Sequence, residues 1–262
     1  MEAAGIARGA RLLQHPLIGI RPVGPTPWPD TFPAGVEHLR FAAMTMTDPA
    51  DYAAWYRAPR GAWIGATEFS LLRRLVDLGA RETVLDVGCG TGYFTTLCAR
   101  ETAGIVVGLD PNLAWLKYAA HEAAPNLAWV GGRAEALPFP ERSFDVVLSV
   151  TALCFIEDQL AALREMLRVC RRRFALGLLN RHSLLWRQKG RGGGGGAYRG
   201  AHWHTAREVH ALAGELNHAR FHWRTAVFLP SGSGTARWLE DRLPNWLPWG
   251  AFLAVVGDAQ SR

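Results

Sequence analysis

The sequence predicts a doubly wound α/β sheet, and three observations carry that expectation. The first is Val84–Val87, an apolar run of the kind found in buried parallel strands. It breaks into three alternating glycines, Gly88, Gly90 and Gly92, before residues 95–99 resume as helix. The second is repetition: short apolar runs at 105–109, 127–130, 143–150 and 174–179 alternate with helix-patterned segments, and strands over 220–229 and 251–256 complete seven. The third is size. A chain of 262 residues, 49% hydrophobic and 20% charged, suffices for one large domain with a substantial core.

The glycines give a tight turn without side chains, so that backbone approaches a ligand, and the helix that follows offers N–H groups at its start. A dinucleotide-binding turn would space its glycines G-x-G-x-x-G, whereas here they alternate and Asp86 stands in the strand end. Asp86 suits a ligand that brings a cationic amine or a water-bridged polar group, not a diphosphate. Asp110 closes the next apolar run, roughly 20 residues on, where a carboxylate meets ribose hydroxyls.

The stretch Asp86-Val87-Gly88-Cys89-Gly90-Thr91-Gly92 resembles the first motif of the class I S-adenosylmethionine-dependent methyltransferases, and the chain looks like their small-molecule type, methyltransferase domain 11. The resemblance runs over residues 48–256, densest in 84–150. It implies a seven-stranded Rossmann-like sheet with helices on both faces and an antiparallel last strand. The cofactor it implies is S-adenosyl-L-methionine, lying over the carboxyl ends of the first four strands. Carried onto this chain, it implies cofactor contacts from Asp86, Gly88, Cys89, Gly90 and Gly92, then from Asp110, Pro111 and Asn112. It adds Arg133, Ala134 and Glu135 in a loop along the adenine, Ser149 in the fourth strand, and Tyr52 from an N-terminal lid.

Residues 1–43 carry Pro16, Pro22, Pro25, Pro27, Pro29 and Pro33, which break every periodicity; they are expected to be a disordered extension or a mis-assigned start, with the domain spanning 44–262. Residues 48–66 are expected to form the lid. Tyr52 and Tyr56 keep a polar tip and suit a cleft cover, whereas Trp55 and Trp63 read as core packing. A helix over 67–78 is expected to stop at Gly79, and one over 111–124 to hold Pro111 in its first turn. A third, over 156–171, would use Arg171, Arg172 and Arg173 to complement its last carbonyls. Thr205 and Glu208 have capping-box spacing for a helix to 216, and 238–249 reads as an aromatic, proline-broken connection. Between them, residues 180–204 set Arg187, Lys189, Arg191 and Arg199 around the run Gly192 to Gly196. This is either a tolerated surface insertion or a mobile substrate loop that closes over an acidic or polar molecule.

No residue type here compels a catalytic role. His202, His204 and Tyr56 are the candidates by chemistry and place, although a surface histidine pair is commonly just solvated. No metal site is expected, because no third ligand adjoins the pair. Cys89, Cys98, Cys154 and Cys170 have no metal spacing and read as reduced, buried thiols. With no apolar run of about 18 residues and no leader pattern, a cytoplasmic protein without a membrane partner is expected. The net charge of +6 comes from scattered arginines as much as from clusters. Base-methylating relatives carry an Asn-Pro-Pro-Tyr-like motif where this chain reads Ser149-Val150-Thr151-Ala152, which argues against nucleic acid. The expected partner is therefore a small-molecule acceptor, anionic if the basic loop meets it. The alternatives are an RNA or protein methyltransferase, or a non-catalytic module that binds the same cofactor.

Overall fold

The computed structural model describes residues 48–216 and 221–259, so the expectations for residues 1–43 and for a domain start at 44 lie outside the described residues. Asp48 opens the fold by accepting the Ala50 N–H at 2.7 Å, which caps α1 (Pro49–Arg57) with Pro49 at its first position. Ala58 is extended, as a residue before proline must be, and Pro59 then opens α2 (Pro59–Val76). The helix expected over 67–78 is thus the second half of a longer one. It ends at Asp77, which adopts the left-handed conformation (φ 51°) that Asp tolerates, and not at Gly79, whose N–H donates to the Glu82 carboxylate at 2.7 Å.

Strands β1 (Val84–Val87), β2 (Val106–Asp110), β3 (Leu127–Gly131), β4 (Phe144–Val150), β5 (Cys170–Leu179), β6 (Phe221–Ala226) and β7 (Phe252–Asp258) make one sheet in the order β3-β2-β1-β4-β5-β7-β6. The first five run parallel. β7 inserts antiparallel between β5 and β6, from Leu179 opposite Phe252 to Arg173 opposite Asp258. Helices α3 (Tyr93–Glu101), α4 (Leu113–Ala119), α5 (Gln159–Val169), α6 (Ala206–Glu215) and α7 (Gly234–Glu240) cover the faces. The seven-stranded doubly wound architecture with its antiparallel last strand is as expected. Val84, Leu85, Val87, Val106 and Leu109 are almost wholly inaccessible, which is why these strands read as continuous apolar runs. From β1 the chain steps outward through β2 and β3, then returns to lay β4 on the other side. The crevice outside the carboxyl ends of β1 and β4 is where such sheets bind ligands.

Several boundaries differ from the sequence expectation for identifiable reasons. α4 begins after Asn112, whose side chain accepts from Ala114 and Trp115, so Pro111 lies outside the helix. α5 stops at Val169 because Cys170 already pairs with Phe144 across β4 and β5. Arg171, Arg172 and Arg173 are therefore strand residues, not a helix end. They ion-pair with Asp145 (2.5 Å), Glu82 and Asp258 (3.2 Å), respectively, tying β5 to its neighbours. The capping box holds as expected: Thr205 N–H donates to Glu208 at 2.7 Å, and Glu208 N–H to Thr205 Oγ1 at 3.2 Å. The stretch 238–249 is not all irregular, since α7, capped by Ser233, reaches Glu240. Among the described residues, no helix is long and apolar enough to cross a membrane.

Candidate functional site

At the carboxyl end of β1 the chain turns through Gly88, Gly90 and Gly92 with φ of 77°, 57° and 82°, a region closed to most side chains. Space enforces the same choice. A Cβ on Gly88 would collide with the Ala152 methyl, one on Gly92 with the Trp129 ring, and one on Gly90 would sit 3.2 Å from the Trp115 ring. The turn spends its donors on itself. Gly88 and Cys89 donate to the Leu109 carbonyl (2.7 and 3.0 Å), Gly92 to the Cys89 carbonyl (2.9 Å), and Gly90 to Asp110 Oδ2 (2.9 Å). So bonded, the turn itself is a poor cradle for a diphosphate.

Two carboxylates frame the turn. Asp86 is buried in β1, accepts from Thr95 Oγ1 at 2.6 Å, and is pushed up to about 7 by burial, with Asp110 nearby adding to the rise. Asp110 closes β2; burial raises it, while the Asn112 N–H on Oδ1 (2.8 Å) and the Gly90 N–H on Oδ2 hold it down. Cys89, half-buried between them, is kept a neutral thiol by burial and by both carboxylates. Pro111 and Asn112 are exposed beside Asp110, and Asn112 spends its side chain on the α4 cap.

The loop after β3 is tied to the same place, because Gly132 N–H donates to the Asp110 carbonyl at 3.2 Å. There Arg133 pairs with Glu135 at 2.8 Å, and Ala134 is buried. Ser149 is inaccessible within β4, and its hydroxyl has no hydrogen-bond partner among the described residues. Two residues on, Thr151 holds φ at 54°, a conformation uncommon outside glycine, and donates its N–H to the Gly177 carbonyl at 2.7 Å.

The N-terminal helices form an aromatic cover. Tyr52 lies 5.0 Å from the Trp115 ring, and Arg57 donates to the Tyr118 hydroxyl at 3.2 Å, so α1 rests on α4 above the turn. Tyr56 is buried, stacked on Tyr93 at 3.9 Å, and its hydroxyl is 3.4 Å from that of Tyr52. Burial raises both tyrosines; hydrogen bonding to the side chains of Tyr56 and Thr151 draws Tyr52 back down. Tyr56 is thus a strongly disfavoured anion, which removes it as a base at neutral pH. Sequence reasoning missed Glu68, which α2 carries toward the same cluster and which burial pushes up to about 8. The available signal was a glutamate on an otherwise apolar helical stripe. Trp115, Tyr93 and Thr151 were missed too, because each acts through a neighbour far away in sequence.

The histidines part company. His204 is fully buried, not solvated. Its Nε2 lies 3.0 Å from Gln159 Oε1 and its Nδ1 4.0 Å from Cys154 Sγ, and burial first, then His202, pull it down to about 4. It is a neutral core residue whose backbone bridges to Asn180 beside β5. His202 is exposed, with its ring 4.5 Å from that of His204 and its N–H on the Cys154 carbonyl. Burial holds Cys154 up at about 12, the wrong direction for a nucleophile. Among the described residues, no group of three His, Cys, Asp or Glu side chains is placed to hold a metal. In the glycine loop, Gly195 N–H donates to the Lys189 carbonyl and Gly200 N–H to that of Gly193. Arg187, Lys189, Arg191 and Arg199 are all exposed, whereas Tyr198 is half-buried.

Residues 85–174 match the model of a methyltransferase domain. An uncharacterized protein of Mycobacterium tuberculosis is 39% identical over 122 residues, which is 47% of this chain and 40% of that one. A ubiquinone/menaquinone biosynthesis C-methyltransferase of Hahella chejuensis is 39% identical over 110 residues, 39% of this chain and 43% of that one. These matches thus span less than half of either relative. Among solved structures, an S-adenosylmethionine-dependent methyltransferase of Thermotoga maritima, described as a possible histamine N-methyltransferase, aligns with a TM-score of 0.64 at 23% identity. That alignment covers 80% of this chain and 95% of that one.

Proposed function

We propose that this chain, whose residues 85–174 belong to the class I S-adenosylmethionine-dependent methyltransferases, transfers the methyl group of that cofactor to a small-molecule acceptor. The observation that carries the reading is the pairing of Asp86 and Asp110 around a left-handed glycine turn at the point where the strand order reverses. These residues fit the cofactor. Asp110 has about four acceptor positions and spends two on Gly90 and Asn112, leaving two for ribose hydroxyls. Asp86, raised by burial, gains from a cationic amine placed beside it. The orphaned Ser149 hydroxyl and the loop at Arg133, Ala134 and Glu135 supply polar contacts on either side.

Bound there, S-adenosylmethionine supplies a methyl group already activated on a sulfonium. The chain's own task is alignment. The turn and Asp110 fix one end of the reaction, while α1 and residues 180–204 shape the acceptor space and exclude water. A small acceptor accords with the Hahella relative, named for quinone biosynthesis. An anionic acceptor rests on the four exposed cations of the loop alone, whereas the charged group that acts on Tyr52, Tyr56, Tyr93 and Tyr198 alike is the carboxyl of Glu68. Incubation with methyl-labelled cofactor and fractionated small-molecule extracts tests the reading. Label appearing in a small product together with released S-adenosylhomocysteine is expected. Cofactor binding without release in any fraction would favour a non-catalytic module.

A further inference from the structure

Glu68 lies where the helix should be apolar. Gly61, Ile64, Gly65, Leu72 and Val76 form the buried stripe of α2, and Glu68 shares it by three- and four-residue spacing. One turn before it, the hydroxyl end of Tyr93 presses on Gly65, leaving no room for a side chain there. Tyr93 stacks on Tyr56, and Tyr52 meets Tyr56 edge-on at 5.5 Å. From the distant glycine loop comes Tyr198, close enough to Glu68 and Tyr52 for both to raise its hydroxyl; burial is the larger cause, and Arg60 opposes. Four tyrosines from two helices, α1 and α3, and one loop therefore gather at the face of α2 that carries Glu68. Glu68 is half-buried and has no ion pair or hydrogen bond among the described residues, so nothing offsets the rise that burial causes. A carboxylate so placed lacks a cation.

We infer that Glu68 and Tyr52, Tyr56, Tyr93 and Tyr198 form the acceptor site, and that the acceptor is a small amine whose ammonium pairs with Glu68 and gives it a proton. The assignment rests on the proposed methyl transfer, and it names the acceptor class for that same site. The electron-rich faces of tyrosine rings attract a cation, and the pairing is strong where water is excluded. An ammonium has no lone pair with which to attack a methyl group. Transfer of one N–H proton to a Glu68 oxygen leaves the bonding pair on nitrogen as the nucleophile, and Glu68 then releases that proton to solvent. Burial raises Glu68 to about 8, so near neutral pH it first yields its own proton to solvent as the ammonium arrives, and the resulting carboxylate is the base that accepts the N–H proton. Tyr52 joins the two halves of the site, because its hydroxyl responds to Glu68, Thr151 and Asp110 together.

Calorimetric titration of benzylamine, benzyl alcohol and benzoate into the full-length protein with S-adenosylhomocysteine present tests this. Benzylamine is expected to bind and benzoate not, and Glu68→Gln is expected to weaken benzylamine at least tenfold while leaving S-adenosylhomocysteine affinity within twofold. Benzoate binding as tightly as benzylamine, no benzylamine binding, or equal benzylamine affinity in the variant would each overturn the assignment. Near-UV circular dichroism checks that the variant is folded. If it is not, Glu68→Asp, which keeps the charge and shortens its reach, is expected to show an intermediate loss, and wild-type affinity there would count against Glu68. Absence of S-adenosylhomocysteine binding to the wild type would sink the methyl-transfer reading, and benzylamine titrated alone would still decide the role of Glu68.

Discussion

The two halves of the site are built from different materials. On the cofactor side, from β1 to the loop after β3, the work is done by backbone: three glycines in a left-handed turn, amides that close on Asp110 and on the Leu109 carbonyl, and one continuous stretch of chain. On the acceptor side it is done by side chains delivered from far apart: Tyr52 from α1, Glu68 from α2, Tyr93 from α3 and Tyr198 from the loop after β5. Backbone geometry demands particular residues at particular spacings, and side-chain convergence does not. A site half made of backbone should accordingly break at single atoms, whereas a side-chain half should degrade by degrees.

The largest effect is expected from Gly92→Val. The branched side chain must enter the Trp129 ring with φ at 82°, so left-handed strain and overpacking add, and destabilisation of about 2–5 kcal/mol is expected. Chemical denaturation measures it, and a variant as stable as wild type would show that the turn yields. Asp110→Ala comes next, with cofactor affinity falling by about 1–3 kcal/mol, the scale of losing charged hydrogen bonds. Because Asp110 also accepts the Gly90 and Asn112 amides, a modest loss of stability should accompany it, which separates this carboxylate from one that touches ligand alone. Calorimetry and melting on one preparation read both quantities.

A third comparison is by pH. Glu68 is raised from 4.5 to about 8 in the folded state, so its contribution to stability is complete below the unfolded value and is lost as pH rises through about 8. His204 runs the other way: lowered from 6.5 to about 4, it contributes fully above 6.5 and loses that contribution as pH falls through about 4. Glu68→Gln should therefore flatten the alkaline limb of the stability profile, and His204→Asn the acid limb. Unchanged slopes between pH 4 and 9 would mean that neither group is desolvated as the structure has it. The smallest effect is reserved for Arg187, Lys189, Arg191 and Arg199. All four are exposed and salt-screened, and replacing them together with Gln should change benzylamine affinity by less than about threefold. A large gain or loss would return acceptor choice to the loop charges.

What could be read from the sequence follows the same division. Val84–Val87, the alternating glycines and Asp110 announced the first strand, the turn and the acid that closes the second strand, because a parallel strand must be apolar throughout and only glycine fits the turn. The antiparallel last strand came with the resemblance those residues carry. Boundaries were less legible. Arg171, Arg172 and Arg173 read as a helix end, whereas pairing across β4 and β5 makes them strand residues that meet acids 26 to 90 residues away. Glu68 was harder to read for a related reason: its one signal, a glutamate on an otherwise apolar helical stripe, looks solvated until the tertiary fold turns that face inward. His204 shows the converse, since a histidine in a basic, glycine-rich stretch looked exposed and proved to be core.

The most direct measurement is a calorimetric titration of S-adenosylhomocysteine into the wild type and into Gly90→Val. That substitution places a side chain where φ is 57° and backbone should meet ligand, while its nearest neighbour, the Trp115 ring at 3.2 Å from the new Cβ, has some freedom to give. Micromolar or tighter binding by the wild type, with none detectable in a folded variant, is the predicted result. Equal affinity in the two proteins would contradict the placement of the cofactor on this turn.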